Sequence, residues 1–272
     1  MRTLVFSLRA IVAAALFVAL PAQSLAQLYV GVGISVPPPA IPVYQQPMLE
    51  NPNYMWTPGY WAWGSGGYYW VPGTWVAAPQ PGLYWTPGYW AFDNGAYYWN
   101  NGFWAPQVGF YGGINYGFGY YGNGFVGGMW NGPAFSYNTA VMTVDRTVVR
   151  RVYVNKTVIT KTIVDRDRTS FNGGDKGVQL RPTPAQLALR RSGMAPTSVQ
   201  REHEQVAAQD RHHLATVNNG HPEHGAMAHP LDATHPSAHA EAVNESDRDA
   251  ARKLTVHSTH VGTKPPPAKP PL

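Results

Sequence analysis

The sequence has 272 residues, of which 13% are charged, ten are Trp and sixteen are Tyr. About a quarter of the residues of an average domain are charged, so this chain is poor in charge and rich in aromatic rings. It contains no Cys, which excludes disulfides, thiolate metal sites, iron–sulfur clusters and Cys nucleophiles. The net charge of +5 is unevenly spread, because no Lys or Arg lies between Gln27 and Tyr137.

The first 26 residues have the pattern of an export signal. Arg2 and Arg9 give a positive start, residues 10–20 form an unbroken apolar run, and residues 24–26 (Ser-Leu-Ala) place small residues before the expected cleavage point, Gln27. The alternative is a membrane anchor. However, a helix of 11 apolar residues spans only about half of a ~30 Å hydrocarbon core. We therefore predict a cleaved signal peptide and a mature chain that does not span a membrane.

The dominant feature of the sequence is a repeat of 29 residues built from aromatic side chains. Residues 56–61 (WTPGYW) return as residues 85–90, and residues 68–70 (YYW) return as residues 97–99, both at this offset. Within the first copy, residues 70–75 (WVPGTW) echo residues 56–61 after 14 positions. Self-similarity at a fixed period indicates structural units that pack on one another.

The repeats predict short β-strands joined by turns. Pro-Gly pairs at 58–59, 72–73 and 87–88 fit type II turns, and the Asn-Gly pair at 101–102 fits a hairpin turn. The Trp and Tyr residues between these pairs favour extended backbone. The predicted fold class is therefore mainly β, with a short-stranded antiparallel meander of roughly eight strands formed by the two 29-residue aromatic repeats.

The number of aromatic rings predicts that both faces of this sheet are covered. Residues 54–104 contain nine Trp, eight Tyr and two Phe, but a single-layer sheet buries only one of its faces. The second face needs another part of the chain, a second subunit or a ligand. The internal candidate is residues 109–132, where ten Gly residues allow the backbone to approach large rings closely.

These motifs resemble those of the YXWGXW (WXXGXW) repeat-containing proteins of Gram-negative bacteria, which are exported proteins of the cell envelope. The resemblance implies export and an envelope location, and it brings no activity or functional residue with it. The second copy departs from the pattern at residues 100–102 (NNG), where the first has VPG. The resemblance is carried by residues 56–61, 68–75, 85–90 and 97–104, and further along the chain by residues 108–120, 172–174 and 181–184.

Composition divides the chain into six segments. In one of them, residues 138–172, β-branched residues predict a β-hairpin with strands at 141–154 and 157–164. The six segments are a signal peptide (1–26), an edge strand at 28–36 with a Pro-rich lead-in (27–53), the aromatic repeat and Gly/aromatic β domain (54–137), Val/Thr-rich strands (138–172), a helical segment (173–220) and a disordered His- and Pro-rich tail (221–272).

The helical segment predicts two exposed helices. Thr183 precedes a helix over 184–191 that starts with Pro, and Thr197 precedes a helix over 198–217 with a Gln placed to complete a capping box. Residues 219–220 (Asn-Gly) end the second helix. The second helix carries few apolar residues (Val199, Val206, Leu214 and Val217), so we expect it to be weakly amphipathic and largely exposed. The first helix is short and is also expected to be exposed.

No catalytic residue and no cofactor are predicted. All ten His residues lie at or after His203, so the repeats have no imidazole for a nucleophile–base pair. Between residues 27 and 137 the only carboxylates are Glu50 and Asp93, in a lead-in and a turn, whereas glycoside hydrolysis needs two that flank one bond. We therefore expect that the protein is not an enzyme.

Two kinds of binding residue are predicted instead. Rings of the repeats are candidate stacking platforms for sugars, and imidazoles of the tail are candidate loose ligands for Zn²⁺, Ni²⁺ or Cu²⁺. The alternative is that these imidazoles bind no metal and belong to a solvated tail, which becomes positively charged at acid pH. The predicted ring set is Trp56, Tyr60, Trp61, Trp70, Trp75, Trp85, Tyr89, Trp90, Trp99 and Trp104. The predicted imidazole set is His212, His213, His221, His224 and His229.

Two functions remain open at this point. The first is a non-catalytic exported cell-envelope interaction or structural protein, periplasmic or at the outer membrane, whose aromatic sheet packs on itself, on a second copy or on the outer-membrane surface. The second is a carbohydrate-binding module whose Trp and Tyr rings stack on envelope polysaccharide. Single-stranded nucleic acid also stacks on aromatic rings but needs a basic groove. Because the repeats have no cation, no nucleic-acid partner is expected.

Overall fold

The computed structural model describes residues 33–49, 51–157 and 168–231. Within these residues, short strands predominate over helices, so the mainly β class is confirmed. The predicted signal peptide lies outside the described residues. The strands are β1 (Tyr54–Thr57), β2 (Tyr60–Gly64), β3 (Gly67–Val71), β4 (Thr74–Ala77), β5 (Tyr84–Thr86), β6 (Tyr89–Asp93), β7 (Ala96–Asn100), β8 (Phe103–Ala105), β9 (Asn115–Gly117), β10 (Tyr120–Tyr121), β11 (Gly128–Asn131), β12 (Ala134–Asn138), β13 (Val152–Tyr153) and β14 (Phe171–Asn172). The helices are α1 (Pro184–Ser192), α2 (Ser198–Gln209), a 3-10 helix (Arg211–His213) and α3 (Ala215–Asn218).

Each repeat is one antiparallel hairpin that is interrupted halfway along both of its arms. In the first copy β2 pairs with β3 next to the tip of the hairpin, and β1 pairs with β4 at its base. The second copy repeats this arrangement, with β6 pairing with β7 and β5 with β8. The eight strands that the sequence predicts are therefore present, but they are nested within two hairpins and do not follow one another as a meander.

The predicted turns at the Pro-Gly and Asn-Gly pairs are wrong. Gly59, Gly73, Gly88 and Gly102 have no positive φ, which type II and type I′ turns require of Gly. Pro58-Gly59 lies across from Pro72-Gly73, and the two pairs separate the inner strand pair from the outer one. Pro has no N–H group to donate to a strand ladder, so it interrupts pairing without reversing the chain.

The Gly/aromatic segment covers the repeats, as the sequence predicts. Its Tyr111, Ile114, Tyr116 and Tyr120 side chains are buried in the same hydrophobic core as the Trp residues. Strands β9 and β10 form a hairpin through Phe118 and Gly119, both with positive φ. The Tyr116 hydroxyl donates to the backbone oxygen of Gly88 (2.6 Å) and the Tyr120 hydroxyl to that of Trp85 (3.0 Å). The second aromatic face is therefore closed by the chain itself.

The predicted strand at 141–154 is mostly wrong: only Val152–Tyr153 forms a strand, and Val144 makes an isolated bridge with Leu49. This strand, β13, pairs in parallel with β12, which itself pairs antiparallel with β11. Asp145 explains the difference, since its carboxylate accepts hydrogen bonds from the Thr147 backbone N–H (2.8 Å) and hydroxyl (2.6 Å). Such a side-chain-to-backbone bond stabilises a turn in competition with a strand. Residues 158–164 of the second predicted strand lie outside the described residues.

The lead-in runs along the repeats and contributes little regular structure. Of the predicted edge strand at 28–36, only Ile34 pairs, exchanging two backbone hydrogen bonds with Tyr97 of β7 (2.8 and 3.0 Å), and residues 28–32 lie outside the described part. Further along, the Arg168 guanidinium and backbone oxygen bond to the backbone of Ile41 (both 2.9 Å). Ile41 and Leu49 are buried in the core.

The helices begin where the sequence predicts. Thr183 and Thr197 each form a complete capping box, at the start of α1 and of α2. The predicted second helix is broken into α2, the 3-10 helix and α3, and it ends at Asn219 and Gly220, both with positive φ. No residue of α1 is buried, as predicted. In contrast, α2 buries two side chains, so it is less exposed than predicted.

Residues 221–231 differ from the expected disordered tail. The backbone N–H of Gly73 donates to Gly225 O (3.0 Å), that of Met227 donates to Gly73 O (2.8 Å), and that of Leu231 donates to Trp75 O (2.9 Å). Gly225 is needed there, because a Cβ would collide with the ring of Tyr44. The remainder of the predicted tail, residues 232–272, lies outside the described residues.

Candidate functional site

The Trp residues of each repeat form cross-strand pairs. In the first copy, Trp56 lies directly opposite Trp75 and Trp61 opposite Trp70, with ring centroids 5.2 Å apart in both pairs and planes at 69° and 67°. These are edge-to-face contacts, which place the positive edge of one ring over the negative face of the other. The second copy has the same pairs at 5.3 and 5.4 Å, formed by Trp85 with Trp104 and by Trp90 with Trp99.

The Gly of each motif is required because an indole ring covers its α-carbon. A Cβ on Gly73 would lie 2.7 Å from Cζ2 of Trp56, and a Cβ on Gly59 would overlap Cζ2 of Trp70. The contacts are reciprocal: the first Trp of each motif covers the Gly of the motif on the opposite arm. In the second copy, the equivalent contacts are Trp99 over Gly88 and Trp85 over Gly102. The spacing W-x-x-G-x-W therefore has a geometric cause.

Five indole N–H groups of the repeats donate hydrogen bonds to oxygen atoms of other segments. Because a buried polar group without a partner is costly, these bonds fix each indole to one acceptor. The acceptors belong to the lead-in, to the other repeat and to the C-terminal part of the chain. The bonds run from Trp61 to Ala40 O (3.0 Å), Trp75 to Pro47 O (2.9 Å), Trp70 to Gly225 O (3.0 Å), Trp90 to Trp61 O (2.8 Å) and Trp104 to Gln200 Oε1 (2.9 Å).

The two copies pack on each other through equivalent positions. Trp61 and Trp90, which are 29 residues apart, are joined by the Trp90 indole hydrogen bond. Tyr60 stacks on Trp99 with ring centroids 5.0 Å apart and planes at 16°. Tyr68 meets the face of Trp90 edge-on at 5.3 Å. The repeats thus bury one another, as self-similar units are expected to do.

The structure places most of the predicted stacking residues in the core. Seven of the ten rings are buried, and Tyr60, Tyr89 and Trp99 are partly exposed. Tyr60 and Trp99 cover each other, and Tyr89 packs against Phe110 (5.3 Å). Sugar stacking needs an open ring face, so on the repeats it remains a prediction for these three rings. The seven buried rings are Trp56, Trp61, Trp70, Trp75, Trp85, Trp90 and Trp104.

Helix α2 docks on the first repeat through residues that the sequence analysis missed. His203 is buried with Nε2 2.8 Å from the backbone oxygen of Pro72, and Ala207 packs with Tyr69. The Tyr60 hydroxyl donates to Oε2 of Glu204 (2.9 Å). No sequence pattern links residues this far apart, and the helix carries too few apolar residues to indicate which side faces the sheet.

Burial controls the protonation of the Tyr60–Glu204 pair. It raises the pKa of the Glu204 carboxyl, and the hydrogen bond from Tyr60 offsets only part of that shift. Burial, followed by the nearby carboxylate, raises the pKa of the Tyr60 hydroxyl well above its usual range. A cavity of about 40 Å³ beside the pair is lined in part by Tyr60, Trp99, His203 and Glu204. This space suits water rather than a substrate.

The predicted imidazole ligands are spread along the C-terminal segment. His212 Nδ1 lies 3.0 Å from Oδ1 of Asp210, and the buried His213 has Nε2 3.7 Å from Oδ2 of the same carboxylate. His221, His224 and His229 are exposed. Nowhere in residues 33–49, 51–157 and 168–231 do three His, Asp or Glu residues gather as metal ligands. Loose metal binding stays a prediction.

Helices of the described chain are short, and none is long and apolar enough to cross a bilayer.

No curated protein matches the sequence, and no solved structure matches it either. A family model, the WXXGXW repeat, matches twice, at residues 51–76 and 84–105. The matched segments correspond to the two interrupted hairpins, each with its reciprocal Trp-over-Gly contacts. Residues 51–76 and 84–105 are therefore two copies of the WXXGXW repeat.

Proposed function

We propose that this chain is a non-catalytic structural or interaction protein of the cell envelope, exported by its N-terminal segment. The observation that carries the proposal is that the Trp residues of the repeats are used within the fold. Seven are buried, and five of them donate indole hydrogen bonds to fixed acceptors. Rings that are buried and hydrogen-bonded in this way serve the architecture of the fold, whereas rings for ligand stacking need exposed faces.

The envelope location rests on the export pattern of residues 1–26 and on the resemblance of the motifs to exported proteins. Partners of such a protein would be envelope polysaccharide, the outer-membrane surface or a second copy of the chain. The chain has no Cys and so no disulfides. An exported form would therefore depend for its stability on core packing and hydrogen bonds.

The location is tested by expressing the full chain in a Gram-negative host, separating periplasm, membranes and cytoplasm, and measuring the mass of the protein. We expect a mature chain that begins at Gln27, in the periplasmic or outer-membrane fraction. Ala26→Asp is the matched control, because a charged residue before the cleavage point should block processing and accumulate the precursor. Uncleaved wild-type protein in the cytoplasm would contradict the proposal.

A further inference from the structure

A groove of about 440 Å³ lies outside the repeat core. Its volume falls within the range of about 300–1,000 Å³ that is typical of ligand sites. It is lined by Tyr84 at the start of β5, Gln107 after β8, Phe125 before β11, Met129 of β11, and Tyr153 and Asn155 at the end of β13. None of these residues belongs to the predicted ring set or imidazole set.

The aromatic rings of the groove are held in place by contacts behind them. The Tyr84 hydroxyl accepts a hydrogen bond from the backbone N–H of Trp130 (3.1 Å). Phe125 packs between Tyr84 and the buried Tyr120, with ring centroids 6.4 and 4.6 Å apart. The orientation of Tyr84 and Phe125 is therefore fixed before a ligand binds, and preorganisation of this kind lowers the entropic cost of binding.

The polar groups of the groove are neutral. Gln107 and Asn155 are exposed and contribute side-chain amides. Oδ1 of Asn155 accepts a hydrogen bond from the Thr157 backbone N–H (3.0 Å), so Asn155 presents mainly its N–H donors, whereas Gln107 presents both donors and an acceptor. The Tyr153 hydroxyl is protonated at neutral pH, because the ordinary pKa of Tyr is 10.0 and burial, followed by the neighbouring Tyr84, raises it. Among the described residues, none that lines the groove is charged. The lining therefore favours a ligand with hydroxyl groups over one with phosphates or carboxylates.

We propose that this groove binds a neutral oligosaccharide. A hexose presents an apolar ring face, which matches Phe125 and Tyr153, and a rim of hydroxyls, which matches the Gln107 and Asn155 amides. The described lining residues carry no charge, which argues against nucleic acid and acidic polymers, because these need cations. The groove is open to solvent, so it accommodates a segment of a longer chain. This site is independent of the envelope location proposed above.

Isothermal titration calorimetry on the full chain tests the proposal, with cellohexaose, maltohexaose and hexa-N-acetylchitohexaose as neutral probes and polygalacturonate as the acidic one. We expect at least one neutral probe to bind and polygalacturonate not to. Tyr153→Ala and Gln107→Ala should each weaken that binding, by about tenfold for the ring and severalfold for the amide. Gln107 is exposed, so its replacement leaves the fold intact.

Tyr98→Ala is the matched control, because Tyr98 is a Tyr at the tip of the second hairpin, 36% exposed, and lies outside the groove. It should bind the neutral probe as the wild type does. Three results would overturn the proposal. The first is no heat with any neutral hexasaccharide at millimolar concentration, and the second is wild-type affinity in both the Tyr153→Ala and the Gln107→Ala variant. The third is tighter binding of polygalacturonate than of the neutral probes. None of them bears on whether the protein is exported.

Discussion

At the scale of single residues, Gly is as constrained in these repeats as Trp. Each motif Gly lies under the indole of a Trp from the opposite arm of the hairpin. Its backbone conformation is one that other residues adopt, because its φ is not positive. Each of these Gly positions therefore excludes a side chain for a steric reason, because the indole ring occupies the space of a Cβ.

Gly59→Ala should consequently destabilise the protein, by about 1–3 kcal/mol or more, the usual range for overpacking a filled core. Trp70 has no room to retreat, since its ring is fully buried and its N–H is bonded to Gly225 O. Urea unfolding followed by circular dichroism measures the free-energy change. Gly64→Ala is the control, because its nearest neighbour would be a carbon of the Tyr69 ring at 3.2 Å, and it should cost much less. Equal losses for the two variants would disprove the steric account.

Glu204 predicts a pH dependence of stability. Its pKa is raised in the folded state from an ordinary value of 4.5, so the folded protein binds this proton more tightly than the unfolded chain does. The stabilisation is thus complete below pH 4.5 and is lost as the pH rises through the folded-state pKa. Asp210 acts in the opposite direction, because its pKa is lowered, but only as the pH falls below its ordinary value of 3.8.

Glu204→Gln removes the charge and keeps an acceptor for Tyr60. We expect the variant to gain stability over the wild type at pH 7, and the gain to shrink as the pH is lowered to 4.5. Urea unfolding at several pH values between these limits measures the difference. Glu202→Gln, on the exposed side of the same helix, should show no such trend. A Glu204→Gln variant that is less stable by the same amount at every pH would refute this reading.

At the scale of elements, the hairpins depend on the segment that covers them. Residues 109–132 contribute buried Tyr rings, and two of their hydroxyls bond to backbone oxygens of the second repeat. The bonded oxygens belong to Trp85 and Gly88, which lie beside the interruption in the hairpin. The covering segment therefore supplies donors at the place where Pro interrupts strand pairing.

Tyr120→Phe should lower the free energy of unfolding by about 1–3 kcal/mol, because it leaves the buried Trp85 oxygen without its donor. The ring itself is retained, so the loss is assigned to the hydrogen bond. Thermal and urea unfolding measure it. Tyr98→Phe is the control, since Tyr98 is 36% exposed, and it should be nearly neutral. If both variants unfold alike, the hydroxyl of Tyr120 does not hold the segment in place.

At the scale of the whole molecule, the sequence predicts the fold class and the local structure well, but it predicts contacts between distant segments poorly. The mainly β class, the covering role of residues 109–132 and both helix caps follow from local chemistry, and the structure confirms them. The strand pairing does not follow, because Pro-Gly fits both a turn and an interruption, and only the Trp ring above the Gly decides between them. The same limit applies to Glu204 and to the groove, which distant segments assemble.

Hydrogen exchange of the indole N–H groups, observed by NMR on the folded protein, tests the central claim most directly. That claim is that the Trp residues of the repeats are structural. All ten Trp residues lie in the described part, and the five donors of the repeats should exchange far more slowly than the indole of Trp63, which is 42% exposed. If these five exchange as fast as Trp63, the Trp rings are open to solvent and the architecture proposed for the repeats is wrong.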